Sequence, residues 1–253
     1  MGEDVERETP SLEDELWAYV GAGDGTHCPL YSDCDFRKSD DWCAVSNPEF
    51  ISYCYEEFER VHDKAFAPGD YDFIRFNAHC KMFKLVECLA QSYLQKGGIS
   101  CPPVPTNLAM LADVENGVEV RLVPLNAYHG GLWRSQGKWI VQLNANDTSA
   151  RRRFTLFHEV FHIRAHLKTT PVFSKIGRKT GSFNESLADY FAACVLSPPH
   201  WVKKEWAKFK DIAQMAAHFD VPYIVMFVTL KRIGLIVLLF SLLTLLASET
   251  PFC

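Results

Sequence analysis

The sequence predicts an α+β domain, mostly helical with a small β-sheet, preceded by a cysteine-rich N-terminal region. Three observations carry that reading. Apolar residues recur at helical spacing over long stretches, as in Phe73, Phe76, Met82, Phe83, Val86, Leu89 and Tyr93. Two short segments instead read as strands: Val118, Val120 and Leu122 alternate with Glu119 and Arg121, and Lys138–Leu143 is a compact apolar run. Residues 1 to 65 show neither period and hold Cys28, Cys34, Cys43 and Cys54 together with a Gly-Ala-Gly-Asp-Gly loop at 21–25.

The 253 residues suffice for one large domain or two small ones. The chain divides into the cysteine-rich region 1–65, a folded domain over 66–236 and an apolar tail over 237–253. A net charge of −5 without a basic stretch argues against direct binding of nucleic acid through its phosphates. The acidic start, Met1-Gly2-Glu3-Asp4, lacks the apolar run of a secretory signal, and Glu6 stands where N-myristoylation wants Ser or Thr. The expected location is therefore cytoplasmic. In that reducing setting the nine cysteines are expected as thiols or metal ligands rather than disulfides.

The elements follow in order. A helix over Tyr71–Gln95 ends at Gly97-Gly98, where glycine accepts the left-handed conformation of a helix stop. After the rigid Pro102-Pro103-Val104-Pro105 connector, Thr106 is expected to cap a short helix through Val114. The Val118–Leu122 strand, a loop around Gly130-Gly131 and the Lys138–Leu143 strand come next. Capping types fill 144–149, and a strong helix runs from Arg151 to Leu167. Another spans Asn184–Leu196 and is closed by Pro198-Pro199. Two or three more helices occupy 200–232.

The chemistry is concentrated in His158-Glu159-Val160-Phe161-His162. Histidines at i and i+4 project from one helix face, so both imidazoles reach one ion, and the glutamate between them falls beside it as a general base. Imidazole and carboxylate ligands with one position left for water suit catalytic zinc. His166 lies about 12 Å along the helix from His158 and cannot share the ion, so it reads as a second-layer or core residue. The position six residues after His162 is Lys168, which rules out a third histidine there. Glu185 is the remaining candidate for a third ligand, and Asp189, one turn further, can hold a ligand histidine by its other nitrogen.

Arg153-Phe154-Thr155-Leu156-Phe157-His158-Glu159 through His162 and His166, then Glu185-x-x-Ala188-Asp189-x-Phe191-Ala192-Ala193 and Leu196-Ser197-Pro198, resembles the ImmA/IrrE family of metallopeptidases. The likeness covers residues 75–236. It implies a zincin-like core over the 66–236 domain and a selective intracellular peptidase. By the same resemblance His158, His162 and Glu185 are zinc ligands and Glu159 is the base. The implied partner is a protein substrate, a helix-turn-helix repressor whose cleavage relieves repression of phage, mobile-element or stress-response genes. The Trp139–Leu143 strand, where it borders the cleft, can pair with an extended substrate. Tyr128, His129 and Tyr190 are the candidate oxyanion donors. A non-catalytic metal or redox sensor, or an adaptor that binds a repressor, is the alternative.

Five further features carry separate readings. Cys28, Cys34, Cys43 and Cys54, with His27 as a substitute ligand, fit a second zinc site, an iron–sulfur cluster or plain thiols, with no C-x-x-C pair to choose between them. Cys80, Cys88 and Cys194 read as small core residues, and Arg151-Arg152-Arg153 as a solvated or substrate-facing cluster. Residues 233–247 are apolar but span only about 22 Å as a helix, short of the ~30 Å hydrocarbon core. They read as a packed C-terminal helix or as a tail anchor with Lys231-Arg232 on the cytosolic side. Asp211–Leu235 has a helix-turn-helix outline, but Tyr223–Val228 is too apolar to read bases and is expected to pack on the core.

Overall fold

Secondary structure in this computed structural model is described for residues 11–22, 81–126, 128–169 and 183–236. Seven α-helices, one 3-10 helix and three strands lie within them. The cysteines at 28, 34, 43, 54 and 80, the helical pattern before residue 81 and the tail beyond 236 lie outside the described residues.

Helix α1 (Leu12–Ala22) starts at Ser11, whose Oγ accepts from the Asp14 amide at 3.1 Å, and Glu13, Asp14 and Glu15 complement the positive end of its dipole. It buries Leu16, Trp17 and Val20 against α2 (Lys81–Lys96) and α3 (Ser149–Lys168). Helix α2 stops at Gly98 (φ +67°), where the Ile99 amide donates to Leu94 O and the Gly98 amide to Gln95 O, each at 3.0 Å. This is the 6→1 and 5→2 pair of a left-handed helix stop. Gly97 is needed for a different reason: a Cβ there would lie 2.1 Å from Leu108 Cδ1.

The short helix after the prolines is a 3-10 helix, Thr106–Ala112. Pro105, not Thr106, occupies its cap position and no side chain caps it, because Thr106 is already the first helical residue. It ends at Asp113 rather than Val114. The Asp113 carboxylate accepts from the Asn116 amide and from Trp139 Nε1, both at 3.0 Å, and so ties this turn to the sheet.

The sheet holds β1 (Val118–Val123), β2 (Gly130–Ser135) and β3 (Lys138–Asn144) in the order β1-β3-β2. Strand β3 pairs parallel with β1 and antiparallel with β2, so it is central and its backbone is engaged on both sides. The expectation that the Trp139–Leu143 strand itself pairs with substrate is therefore corrected. The added element is β2, where the sequence suggested a loop. Gln136 (φ +49°) and Gly137 (φ +85°) form the two-residue left-handed turn that matches the twist of such a hairpin.

Helix α3 is capped by Thr148, whose side chain accepts from the Arg151 amide at 3.2 Å. Only Arg153 of its arginine triplet is buried (8 % exposed), which overturns the solvated reading for that residue. Its Nη2 donates to Val104 O at 2.6 Å and its Nε to Asp220 O at 3.1 Å, with the Asp220 carboxylate 3.0 Å away. Helix α4 (Phe183–Leu196) packs along α3, and α5 (Pro199–Phe209), α6 (Ile212–Phe219) and α7 (Tyr223–Arg232) close the domain. Helices α6 and α7 meet at 111° about Asp220, and α7 buries Ile224, Val225, Met226 and Leu230, as its apolar sequence demands. Among the described residues no single helix is long and apolar enough to cross a membrane.

The core runs through aromatic contacts between helices. Trp17 lies 5.4 Å from Phe161, Phe161 lies 5.7 Å from Phe191, and Phe191 lies 5.8 Å from Tyr93, centroid to centroid. The same Phe161 borders the His162 ring, so the packing that holds α1, α3 and α4 together also backs a candidate ligand. Cys194 is buried in this core, whereas Cys88 is exposed on α2, contrary to expectation.

Candidate metal centre

His158 and His162 come from successive turns of α3, and Glu185 from the first turn of α4. The 3.6-residue period puts the histidines on one face, and the packing of α4 along α3 brings the carboxylate to them. His158 Nε2 and His162 Nε2 are 2.8 Å apart, and Glu185 Oε2 is 3.2 Å from the first and 3.5 Å from the second. Ligand atoms at ordinary zinc distances define tetrahedral edges of about 3.3 Å, so these three nitrogen and oxygen atoms fit one face of such a tetrahedron. Among the described residues they form the one group of His, Cys, Asp and Glu ligand atoms close enough to hold an ion. Two imidazole lone pairs at 2.8 Å repel each other unless a proton or a cation lies between them, so the donor chemistry also fits a divalent metal.

Asp189, one turn along α4 from Glu185, places Oδ1 2.7 Å from His158 Nδ1. With the proton on Nδ1 directed at this carboxylate, Nε2 keeps its lone pair for the ion. Burial alone would push the His158 imidazolium toward its neutral form, but the Asp189 and Glu185 carboxylates outweigh it and hold its pKa well above the usual value. Glu185 shows the converse balance. Burial pushes its pKa up, yet hydrogen bonds from His158 and His162 hold the acid far below the usual carboxylate range. The cluster thus keeps Glu185 ionised and binds positive charge, as protons or as a metal.

Glu159 is 9 % exposed and makes no hydrogen bond or ion pair with the described residues. Of the other side chains singled out, Tyr190 is turned away from the site. It is 5 % exposed, donates through Oη to Glu87 and lies under the Arg232 guanidinium at 4.5 Å, so it is removed from the oxyanion candidates. His129 bonds Asp147 Oδ2 through Nδ1 at 2.9 Å, and Tyr128 is exposed. His166 is exposed at the end of α3 with its ring 6.0 Å from that of Trp139, not a core residue.

Two elements were missed from the sequence: helix α1 (Leu12–Ala22), which falls where residues 1 to 65 were read as aperiodic and takes in the first two residues of the expected 21–25 loop, and β2, which lies against α3. A Cβ on Gly130 would sit 2.5 Å from Thr155 Cγ2, so glycine permits the strand's close approach one turn before His158. The signal available in the sequence was Gln136-Gly137, a turn pair directly before the β3 run.

Residues 115–231 match the model of the family Peptidase_M78, described as an IrrE N-terminal-like domain. The match contains both histidines, Glu159, Glu185 and Asp189. No curated protein is detectably similar to the chain.

Proposed function

We propose that the region matched at residues 115–231 is an ImmA/IrrE-type metallopeptidase domain and that the protein is a zinc-dependent endopeptidase that cleaves one regulatory protein, a helix-turn-helix transcriptional repressor. The observation that carries the reading is the convergence of His158, His162 and Glu185 with an unpartnered glutamate between the histidines.

His158, His162 and Glu185 would hold the metal, which when bound supplies Lewis acidity toward a water and toward the scissile carbonyl. Glu159 accepts the proton of the attacking water and later delivers it to the departing amide nitrogen. Asp189 keeps the His158 ring oriented and its Nε2 unprotonated. The outer edge of β2, which has no strand beside it among the described residues, offers backbone donors and acceptors to an extended substrate strand beside α3. Since β3 is saturated, that edge takes the role first assigned to it.

The test counts metal per chain in the wild type and in the His158→Ala, His162→Ala double variant. It is joined to cleavage of a helix-turn-helix repressor encoded beside this gene. Loss of one zinc with the histidines, and loss of cleavage in Glu159→Gln, support the proposal. Unchanged metal content, or full cleavage without Glu159, overturns it and favours a non-catalytic sensor or adaptor.

A further inference from the structure

Strand β2 runs beside the ligand-bearing helix in a readable register. At one end Gly130 abuts Thr155; at the other Arg134 pairs across the ladder with Trp139, whose ring faces His166 at 6.0 Å. Gly130 to Arg134 is about 13 Å of strand and Thr155 to His166 about 16 Å of helix, so the two spans match. Leu132, on the same strand face between them, therefore sits level with the Glu159–His162 turn. Arg134 follows about 7 Å further along.

Arg134 is held for binding and left without an acid. Its Nε donates to Gly137 O at 3.1 Å and its guanidinium lies 5.4 Å from the centroid of the Trp139 ring, itself fixed by the Asp113 bond. Arg121, Arg153 and Arg164 each face a carboxylate, Glu119, Asp220 and Glu13. Arg134 faces none among the described residues, and its two terminal nitrogens are unengaged. That planar pair matches a carboxylate in two parallel hydrogen bonds.

We propose that Arg134 determines specificity by selecting an acidic side chain in an extended peptide laid on the β2 edge, two positions from the residue that faces the Glu159–His162 turn. This rests on the peptidase reading. A strand added parallel or antiparallel to β2 keeps the same rise per residue, so the spacing holds for either direction of the substrate.

The zinc-loaded protein is incubated with a synthetic library of fourteen-residue peptides randomised at their centre, and cleavage positions are read by mass spectrometry. Expected is an Asp or Glu preference at one fixed position about two residues from the cut, lost in Arg134→Gln and exchanged for Lys or Arg in Arg134→Glu. Binding of a labelled cleaved sequence to the Glu159→Gln protein should weaken about tenfold on adding Arg134→Gln, and only when the peptide carries the acid. Cleavage without an acid preference, or a preference that survives charge reversal, overturns the role of Arg134 and leaves the peptidase standing. A wild type that cuts no peptide and no repressor overturns both.

Discussion

Asp189 Oδ1 lies 2.7 Å from Nδ1 of His158, on the opposite side of the ring from the nitrogen that faces Glu185. A carboxylate in that position fixes both the ring and its tautomer. Asp189→Ala should keep the fold but lower zinc affinity by about 10–100-fold, read by competition with a chelator of known affinity. Asp189→Asn should fall between the two, since an amide oxygen orients the ring without the charge.

Glu159→Gln removes a base and leaves the volume of the side chain. Zinc stoichiometry should stay at the wild-type value while cleavage falls by at least about a hundredfold, the usual scale of a lost general base. Metal analysis and a cleavage assay on the same preparation separate the two effects.

Arg153 joins the start of α3 to the connector at Val104 and to the α6–α7 corner at Asp220. Arg153→Ala strands the Val104 carbonyl and removes the cation beside Asp220, so it should cost about 2–4 kcal/mol in urea unfolding.

The Glu13 carboxylate bonds Arg164 Nη2 and Trp17 Nε1 and lies 3.8 Å from Lys96 Nζ. Burial pushes its pKa up, but Arg164 outweighs burial and the net shift is downward. A carboxyl held low in the folded state adds stability above its unfolded pKa of about 4.3 and loses it as pH falls through the folded value. Glu13→Gln should therefore be less stable than wild type at pH 7 by about 1 kcal/mol, with the gap closing below pH 4 in denaturant titrations.

Spacing singled out His158 and His162, one helical turn apart within α3, and made Glu185 and Asp189, one turn apart within α4, candidates whose roles the family resemblance then implied. That α4 lies with its carboxylates toward those histidines is a tertiary fact no periodicity contains. Arg153 was unreadable for the same reason, its partners being 49 and 67 residues away. Strand β2 was missed because Gly-Gly-Leu-Trp-Arg-Ser has no β-branched residue and no clean alternation. Its pairing with β3 and close approach to α3 hold it in place. Thr106 was misjudged by one position, since the proline before it already fills the cap.

Phe161, Arg153 and Tyr190 lie inside the matched span 115–231, yet each is completed from outside it, by Trp17, by the Val104 carbonyl and by Glu87. A fragment begun at residue 115 would present an aromatic ring, a guanidinium and a phenol to water, on the surface that backs His162 and α4. The smallest piece that can be cut out and kept intact therefore begins no later than Ser11, and the homology boundary is not a boundary for cloning.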